Sequence, residues 1–279
     1  MSGPMTTAGG RRPIVAGNWK MHKTMTEARD TVAGLLASLT GPAAADLTGA
    51  PAAHVVVFPP SVALHTVCHQ LAAASSAGRG PAGIELGAGA QNLHQEPRGA
   101  YTGEVSAEMI AAAGGAWALV GHSERRAHFG ETDDVVGAKC RAALAAGLKP
   151  IVCVGETAAQ RESAATAAVL TGQVQAATAG LEAAQLARLV VAYEPVWAIG
   201  SGVAATAADA AAAASTIRRS LPAAVAEAVP VLYGGSVKES NVAELMTAGG
   251  VDGVLVGGAS LDGPGFATLA LAGIRAKAG

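Results

Sequence analysis

Aromatic residues are scarce in this chain, where Trp, Tyr and Phe together make up 3% of 279 residues. Charge is low as well, at 14% of residues with a net charge of −2, which predicts no basic surface for nucleic acid or anionic lipid. No apolar run approaches the ~20 residues of a membrane span. The segment 1–12 lacks the apolar core of a signal peptide. These absences exclude nucleic-acid-binding and membrane-spanning classes and favour an ordinary globular protein.

Cysteine is also rare, and the sequence contains few residues spaced as metal ligands. Cys68, Cys140 and Cys153 are odd in number and far apart, which fits buried thiols in a reducing compartment and predicts a cytoplasmic protein. His65 and His69 have the spacing of two zinc ligands on a helix, but no third ligand accompanies them. We therefore expect a solvated helix face and no metal.

Short apolar runs alternate with helical patterns along the rest of the chain. The predicted strands are Ile14–Gly17, His54–Phe58, Ile84–Gly89, Trp117–Gly121, Pro150–Val154, Leu189–Tyr193, Val231–Tyr233 and Gly253–Val256. The predicted helices are Thr26–Leu39, Ser61–Ala74, Ser106–Ala113, Asp133–Ala146, Thr157–Ala179, Ala207–Ala226, Asn241–Ala248 and Phe266–Lys277. Strands that are apolar throughout indicate a parallel sheet buried on both faces, either doubly wound or closed. Eight units in about 250 residues favour a (β/α)8 barrel. We predict one barrel domain over 13–279, preceded by a disordered extension over 1–12.

Polar side chains follow the predicted strands where each strand ends. They are Asn18, Lys20, Gln91, Asn92, His122, Glu124, Glu156, Glu194 and Ser236. Active sites of (β/α)8 barrels form at the carboxyl ends of the strands. The pattern therefore predicts an enzyme with its site at this end of the barrel.

Glu194 is the strongest candidate for a general base. Pro195 ends the strand at Glu194, and the large apolar residues that follow suit a loop that covers a cavity. Burial under such a loop would raise the pKa and the basicity of the carboxylate. Taken alone, the Glu-Pro pair favours a solvated surface connection, so the rest of the chain must decide.

His122 and Lys20 supply the groups that a base needs as partners. His122 precedes a predicted helical turn, whose backbone N–H groups disfavour the imidazolium, so we expect a neutral hydrogen-bond donor. Lys20 adds positive charge and Asn18 a polar contact. Base, donor and cation together fit proton removal beside a carbonyl with an enediolate stabilised as it forms. His122 alone would also fit a buried structural histidine.

Glycine-rich strand ends predict a phosphate site. Gly234-Gly235-Ser236 and Gly257-Gly258 follow the last two strands, where barrels of this kind bind phosphate through backbone N–H groups. Gly200-Ser201-Gly202 could add further donors.

Six motifs in order give the chain a clear resemblance to the triose-phosphate isomerase family. They are Ala16–Met21, Gly99–Glu104, Gly121–Arg126, Ala192–Gly200, Tyr233–Val237 and Val254–Ala259. The resemblance covers the chain from about Arg12 to its end. It implies interconversion of dihydroxyacetone phosphate and D-glyceraldehyde 3-phosphate, in glycolysis and gluconeogenesis, by a homodimer without metal or organic cofactor.

The same resemblance implies roles for individual residues. The catalytic residues would be Glu194, His122, Lys20, Asn18 and Glu124, and the substrate phosphate would bind at Asn18, Lys20, Gly200, Ser201, Ser236, Gly257 and Gly258. The lid and its apolar clamp on Glu194 would be Pro195, Val196, Trp197, Ala198, Ile199 and Leu255, and the dimer contact would be Tyr101, Thr102 and Gly103.

Some residues depart from the family pattern. Ser201 and Val203 stand where the family usually has Thr and Lys, Ala207 stands for a usual Pro, and Glu239 for another. These changes keep open a related isomerase of a four-carbon ketose phosphate such as erythrulose phosphate. Two further alternatives are a Schiff-base aldolase on the same barrel and a sugar-phosphate binder that has lost activity, although Glu194, His122 and Lys20 are all intact. The aldolase would need a lysine at a strand mouth, whereas Lys149 lies at the other end of its strand.

Overall fold

The computed structural model describes residues 6–7, 10–45, 47, 52–78, 80–199 and 205–278. Its main feature is a closed barrel of eight parallel strands in the order β10-β3-β4-β5-β6-β7-β8-β9. The barrel strands are β3 Ile14–Asn18, β4 Ala53–Phe58, β5 Ile84–Ala90, β6 Trp117–Val120, β7 Lys149–Val154, β8 Val190–Tyr193, β9 Val231–Tyr233 and β10 Gly253–Val256. The prediction of a single-domain (β/α)8 barrel is confirmed.

Side chains from the barrel strands fill the barrel interior, so it is a packed core and not a pore. They are Ile14, Ala16, Val56, Phe58, Trp117, Leu119, Ile151, Cys153, Val190, Ala192, Leu232 and Leu255. The intervening residues, such as Val15, Val55 and Val57, face outward into a second apolar layer against the helices. Burial on both faces explains why the strands are apolar throughout.

The helices form the outer ring, with some differences from the sequence-based prediction. They are α1 Met25–Leu39, α2 Pro42–Ala45, α3 Ser61–Ser76, α4 Ala107–Ala112, α5 Ser123–Phe129, α6 Asp133–Ala145, α7 Ala158–Glu162, α8 Thr166–Thr178, α9 Ala183–Leu186, α10 Ala207–Ser220, α11 Glu239–Thr247 and α12 Gly263–Ala276, with a 3₁₀ turn at Gly258–Ser260. No helix within the described ranges is both long and apolar enough to cross a bilayer.

Two predicted helices were too long. Thr157–Ala179 is broken between α7 and α8, where Ala164 is left-handed at φ 56° and the N–H of Ala165 donates to the carbonyl of Gln160 at 2.8 Å. This hydrogen bond is typical of a Schellman motif, in which the left-handed residue after the helix is usually glycine. Here that residue is Ala164, so no glycine marks the helix end in the sequence. Ala207–Ala226 ends at Ser220 because Pro222 holds Leu221 extended at ψ 151°.

The chain contacts the barrel before the first barrel strand begins. Two short strands, β1 Thr6–Thr7 and β2 Gly10–Arg11, pair antiparallel. Arg11 Nε lies 2.7 Å from Asp252 Oδ1, and Arg12 Nη1 lies 3.4 Å from Glu85 Oε2. These arginines fall inside the predicted extension over 1–12, and the disorder of that extension stays a prediction.

Candidate active site

The carboxyl ends of β7, β8 and β9 lie level, which fixes the position of Glu194. Tyr193, the last residue of β8, pairs with Val154 on one side and with Tyr233 on the other. Glu194 follows directly, and its backbone N–H donates to the carbonyl of Val154 at 2.8 Å. A Cβ at Gly155 would come within 1.8 Å of the Glu194 carbonyl oxygen, so glycine is required for this close approach.

The Glu194 carboxylate is buried, at 2% exposure, and is bound by groups at the start of α5. Ser123 donates its backbone N–H to Oε2 at 2.9 Å and its hydroxyl to Oε1 at 3.0 Å. Oε1 also lies 3.0 Å from His122 Nε2. A carboxylate at a helix N-terminus is stabilised by the unpaired N–H groups there. Ser123 was not predicted from the sequence as a partner of Glu194; its place at the first position of α5, beside His122, was the available signal.

His122 is the residue that caps α5. Gly121, left-handed at φ 70°, turns the chain out of β6, and His122 Nδ1 accepts the backbone N–H of Glu124 at 3.3 Å. Because Nδ1 is an acceptor, the ring proton of the neutral imidazole lies on Nε2, which faces Glu194. The geometry is that of a neutral hydrogen-bond donor pointing into the site.

Lys20 extends from the loop after β3 in a strained backbone conformation. Its φ of 51° is left-handed, its N–H donates to Asn18 Oδ1 at 2.9 Å, and the Gln91 amide donates to its carbonyl at 2.8 Å. Non-glycine residues held at positive φ concentrate at functional sites. Gln91, predicted at a strand mouth, thus supports the loop that presents Lys20.

Glu124 binds the ammonium of Lys20. The Lys20 Nζ to Glu124 Oε1 distance is 2.6 Å. Burial is the largest influence on the pKa of Glu124 and by itself would raise it, but the hydrogen bond from Lys20 and the nearby positive charges together outweigh burial, so the pKa lies below its usual value. Lys20 and Glu124 therefore form a charged pair at neutral pH.

Asn92 and Glu156, also predicted at strand mouths, have supporting positions. Asn92 Oδ1 accepts from the buried Lys139 at 2.7 Å, and Lys139 Nζ lies 2.5 Å from the buried Glu131. Glu156 is fully buried and accepts the Tyr193 hydroxyl at 3.0 Å. Neither Asn92 nor Glu156 lines the cavity that contains Glu194.

A cavity of about 570 Å³ at this end of the barrel brings most of the predicted site residues together. It is lined by Asn18, Lys20, His122, Glu194, Ala198, Ile199, Gly234, Gly235, Ser236, Val237, Lys238, Leu255, Gly257, Gly258 and Ala259. Acid, imidazole and ammonium thus face the glycine-rich ends of β9 and β10, where backbone N–H groups suit an anion. Gly200, Ser201 and Val203 lie outside the described residues.

A second cavity of about 520 Å³ adjoins the first and shares Asn18, Lys20 and His122 with it. Glu124 lines this second cavity, as does Gly103 from the loop after β5. The loop is held by the Tyr101 ring, whose centroid lies 4.1 Å from that of His94. Of the three residues predicted to contact a second copy, Gly103 therefore lies beside the site.

The histidine pair considered for zinc lies elsewhere. His65 and His69 are on α3, with ring centroids 6.4 Å apart. Across the described part of the chain, no three His, Cys, Asp or Glu side chains are grouped so as to hold a metal ion.

The fold and this cavity define a (β/α)8-barrel protein of the class that carries its active site at the carboxyl ends of the strands. The family model for triosephosphate isomerase matches residues 13–272, so the chain belongs to the triosephosphate isomerase family. It is 50% identical to the triosephosphate isomerase of Moorella thermoacetica, over 93% of this chain and 98% of that protein. It is 47% identical to the triosephosphate isomerase of Roseiflexus sp. (strain RS-1), over 92% of this chain and 95% of that protein. The resemblance seen in the sequence motifs is confirmed.

Proposed function

We propose that this protein interconverts dihydroxyacetone phosphate and D-glyceraldehyde 3-phosphate through an enediolate. The proposal rests above all on the 3.0 Å contact between His122 Nε2 and Glu194 Oε1, in a cavity that also holds Lys20 and the glycine-rich strand ends. Family membership and the names of the relatives support the same activity. The four-carbon alternative is not favoured, because those relatives are triosephosphate isomerases.

Glu194 is the base in this mechanism. It takes a proton from C1 of dihydroxyacetone phosphate, and the electron pair of that C–H bond forms the enediolate double bond. The same proton, or one exchanged with water, returns from the carboxyl group to C2, while the hydroxyl proton of O1 passes to O2 by way of His122 Nε2, so that C1 becomes the aldehyde and C2 the alcohol. To reach the substrate, Glu194 exchanges its two hydrogen bonds with Ser123 for contact with carbon-bound hydrogen.

His122 and Lys20 stabilise the negative charge that develops on the substrate oxygens. The Nε2–H of His122 donates to the oxygen at the reacting carbons, while Lys20 adds a positive charge and Asn18 a polar contact. Glu124 orients Lys20. The phosphate binds at Ser236, Gly257 and Gly258, with Gly200 and Ser201 completing its site.

The apolar segment Pro195–Ile199 acts as the lid. Ala198 and Ile199 already line the cavity, and Leu255 faces it from β10. Closure of Ile199 and Leu255 on Glu194 would remove water and strengthen the carboxylate as a base.

The chain acts as a homodimer in this proposal. The second cavity is bordered by apolar side chains that are unusually exposed, namely Met21 at 94%, Phe129 at 67% and Met109 at 58%. Exposed apolar surface around a concave site is typical of a protein interface. The loop Tyr101–Gly103 of a second copy would fill it beside Lys20.

We place the protein in the cytoplasm, in glycolysis and gluconeogenesis. The three cysteines are free and buried, as expected in a reducing compartment.

An assay of the purified protein tests the activity. Formation of glyceraldehyde 3-phosphate from dihydroxyacetone phosphate is followed with a coupling dehydrogenase, with erythrulose phosphate in a parallel reaction. We expect rapid turnover of the triose phosphate. Negligible turnover of it with rapid turnover of the tetrose would overturn the proposal, and trapping of substrate on the protein by borohydride would point to an aldolase.

A further inference from the structure

A cation–π contact fixes Trp197, the central residue of the segment Pro195–Ile199. The guanidinium carbon of Arg161, on α7, lies 4.0 Å from the centroid of the Trp197 ring. Arginine over tryptophan is the strongest common pairing of this kind. Trp197 is therefore held from outside the barrel by a residue of the preceding β/α unit.

Asp209 in turn holds Arg161. Its Oδ1 lies 2.7 Å from Arg161 Nη2, while its Oδ2 accepts the backbone N–H of Thr206 at 2.9 Å and the Thr206 hydroxyl at 2.7 Å. Thr206 is the cap of α10, the helix that follows the segment. One ion pair thus links Trp197 on one side of residues 200–204 to the start of α10 on the other.

Arg161 also contacts a group beside the carboxyl end of β8, the strand that leads into Glu194. Its Nη1 lies 3.5 Å from the buried Glu156, which accepts the hydroxyl of Tyr193, the residue before Glu194. Burial raises the pKa of Tyr193, so this hydroxyl stays protonated and donates. The guanidinium therefore contacts three groups around the lid segment at once.

The segment is compact, so the position of Trp197 determines the positions of its neighbours. Ala198 donates its N–H to the carbonyl of Pro195 at 2.8 Å, and Ile199 donates to that of Val196 at 3.3 Å. Ala198 and Ile199 are the two members of the segment that line the cavity with Glu194.

We propose that Arg161 and Asp209 are positioning residues for the isomerase reaction: by clamping Trp197 between α7 and α10, they set where Ile199 and Ala198 lie over Glu194. Neither touches the substrate. The inference rests on the proposed function, since it assumes that the cavity is where the triose phosphate reacts.

Asp209→Asn is the sharpest test. The asparagine side chain can still accept the N–H of Thr206, so the α10 cap is kept while the charge that orients Arg161 is lost. We expect kcat/KM for dihydroxyacetone phosphate to fall about 10-fold, mostly in kcat. In Arg161→Met, kcat/KM should fall by the same factor, and Arg161→Lys should retain part of the activity that Arg161→Met loses. The double variant should have the same kcat/KM as Arg161→Met alone, because both substitutions break the same interaction.

A spectroscopic measurement separates positioning from a general loss of structure. With 5-fluorotryptophan incorporated, the resonance that disappears in Trp197→Phe belongs to Trp197. Asp209→Asn should shift or broaden that resonance and leave those of the buried Trp19 and Trp117 in place. Glu227→Gln is the matched control, because it removes an exposed carboxylate 3.3 Å from an arginine at the opposite end of the barrel, and it should change neither readout.

Three results would overturn the inference. They are kcat/KM within about twofold of the wild type in both Asp209→Asn and Arg161→Met, an unchanged Trp197 resonance, or losses that multiply in the double variant. An inactive wild type would instead refute the proposed function, which keeps the two failures distinct. Arg161→Met removes the cation that lies 3.5 Å from the buried Glu156, and this change can impair folding. The melting curve of the variant shows whether it is folded. If it is not folded, the kinetics and the Trp197 resonance of Asp209→Asn alone test the inference.

Discussion

Glu194 contacts Ser123 and His122 in the structure, and the length of its side chain is what allows it to leave them and reach the substrate. Glu194→Asp shortens that reach by about 1.5 Å, one C–C bond. A displacement near 1 Å costs on the order of 100-fold in rate. We therefore expect kcat/KM for dihydroxyacetone phosphate to fall roughly 100-fold in the coupled assay.

The control for this variant is Glu227→Gln, at the other end of the barrel, which should keep wild-type kinetics. A Glu194→Asp enzyme as fast as the wild type would show that Glu194 is not the base. Aspartate keeps the charge but is too short to keep every contact with Ser123 and His122, so a melting curve is recorded to show that the variant is folded.

Glu124 makes the stability of the protein depend on pH through its pair with Lys20. Its pKa in the folded protein lies below the ordinary value of 4.5, so its contribution to the free energy of unfolding is present above that pH and is lost as the pH falls through the folded pKa. We expect the wild type to exceed Glu124→Gln in stability near pH 7, and the difference to shrink below about pH 4.5. The side chain is 42% exposed, so solvent screens the pair and the difference should stay under about 1 kcal/mol.

Urea unfolding from about pH 7.5 to about pH 3.5 measures this difference. Lys20→Met removes the partner and should abolish the same pH-dependent part. A gap between wild type and Glu124→Gln that stays constant over the whole range would contradict the assignment.

At the scale of elements, α10 offers a site for stabilisation. Ala207 is its first helical residue, directly after the cap at Thr206, and this is the position where proline is best tolerated because its N–H has no partner within the helix. Ala207→Pro restores the residue that the family usually has there. We expect the free energy of unfolding to rise by about 0.4–1 kcal/mol, chiefly because the unfolded chain loses freedom.

Denaturant unfolding of Ala207→Pro measures the change, with Ala211→Pro as the contrasting variant. Ala211 lies inside α10, where proline removes a helical hydrogen bond and should destabilise by about 3 kcal/mol or more. A destabilised Ala207→Pro would mean that the backbone before α10 is incompatible with proline.

The alternation of short apolar runs with helical patterns was enough to predict the barrel, because strands buried on both faces carry a distinct signal. The positions of the predicted strand ends were enough to identify four residues that line the cavity, namely Asn18, Lys20, His122 and Glu194. The break at Ala164 could not be predicted, since the left-handed ending carries no glycine. Two contacts could not be predicted, because each depends on how different β/α units pack in space, which local sequence patterns do not encode. They are the contacts of Ser123 with Glu194 and of Arg161 with Trp197.

At the scale of the whole molecule, the exposed apolar surface around the second cavity predicts association. A second copy would bury Met21, Met109 and Phe129 and place its loop at Thr102 against the site. Thr102→Glu adds a charge at the tip of that loop, and burying it without a partner is costly. We expect the wild type to sediment as a dimer and Thr102→Glu as a monomer with reduced activity.

Sedimentation equilibrium at several protein concentrations measures the oligomeric state. The isomerase assay is run on the same samples. Thr268→Glu, on the exposed face of α12, is the matched control and should remain dimeric and active. A wild type that stays monomeric at high concentration would refute the homodimer while leaving the chemistry of Glu194 untouched.

The burial of all three thiols has a practical consequence. Burial raises the pKa of Cys68 to about 11 and that of Cys140 to about 12, and the pKa of Cys153 is raised well above its usual value, first by burial and then by the charge of Glu194. Thiolates, the reactive form, are therefore rare near neutral pH. A cysteine introduced at the exposed Ile199 could be labelled with a fluorophore or spin probe in the otherwise native sequence, so motion of the lid could be watched directly without first removing a native thiol.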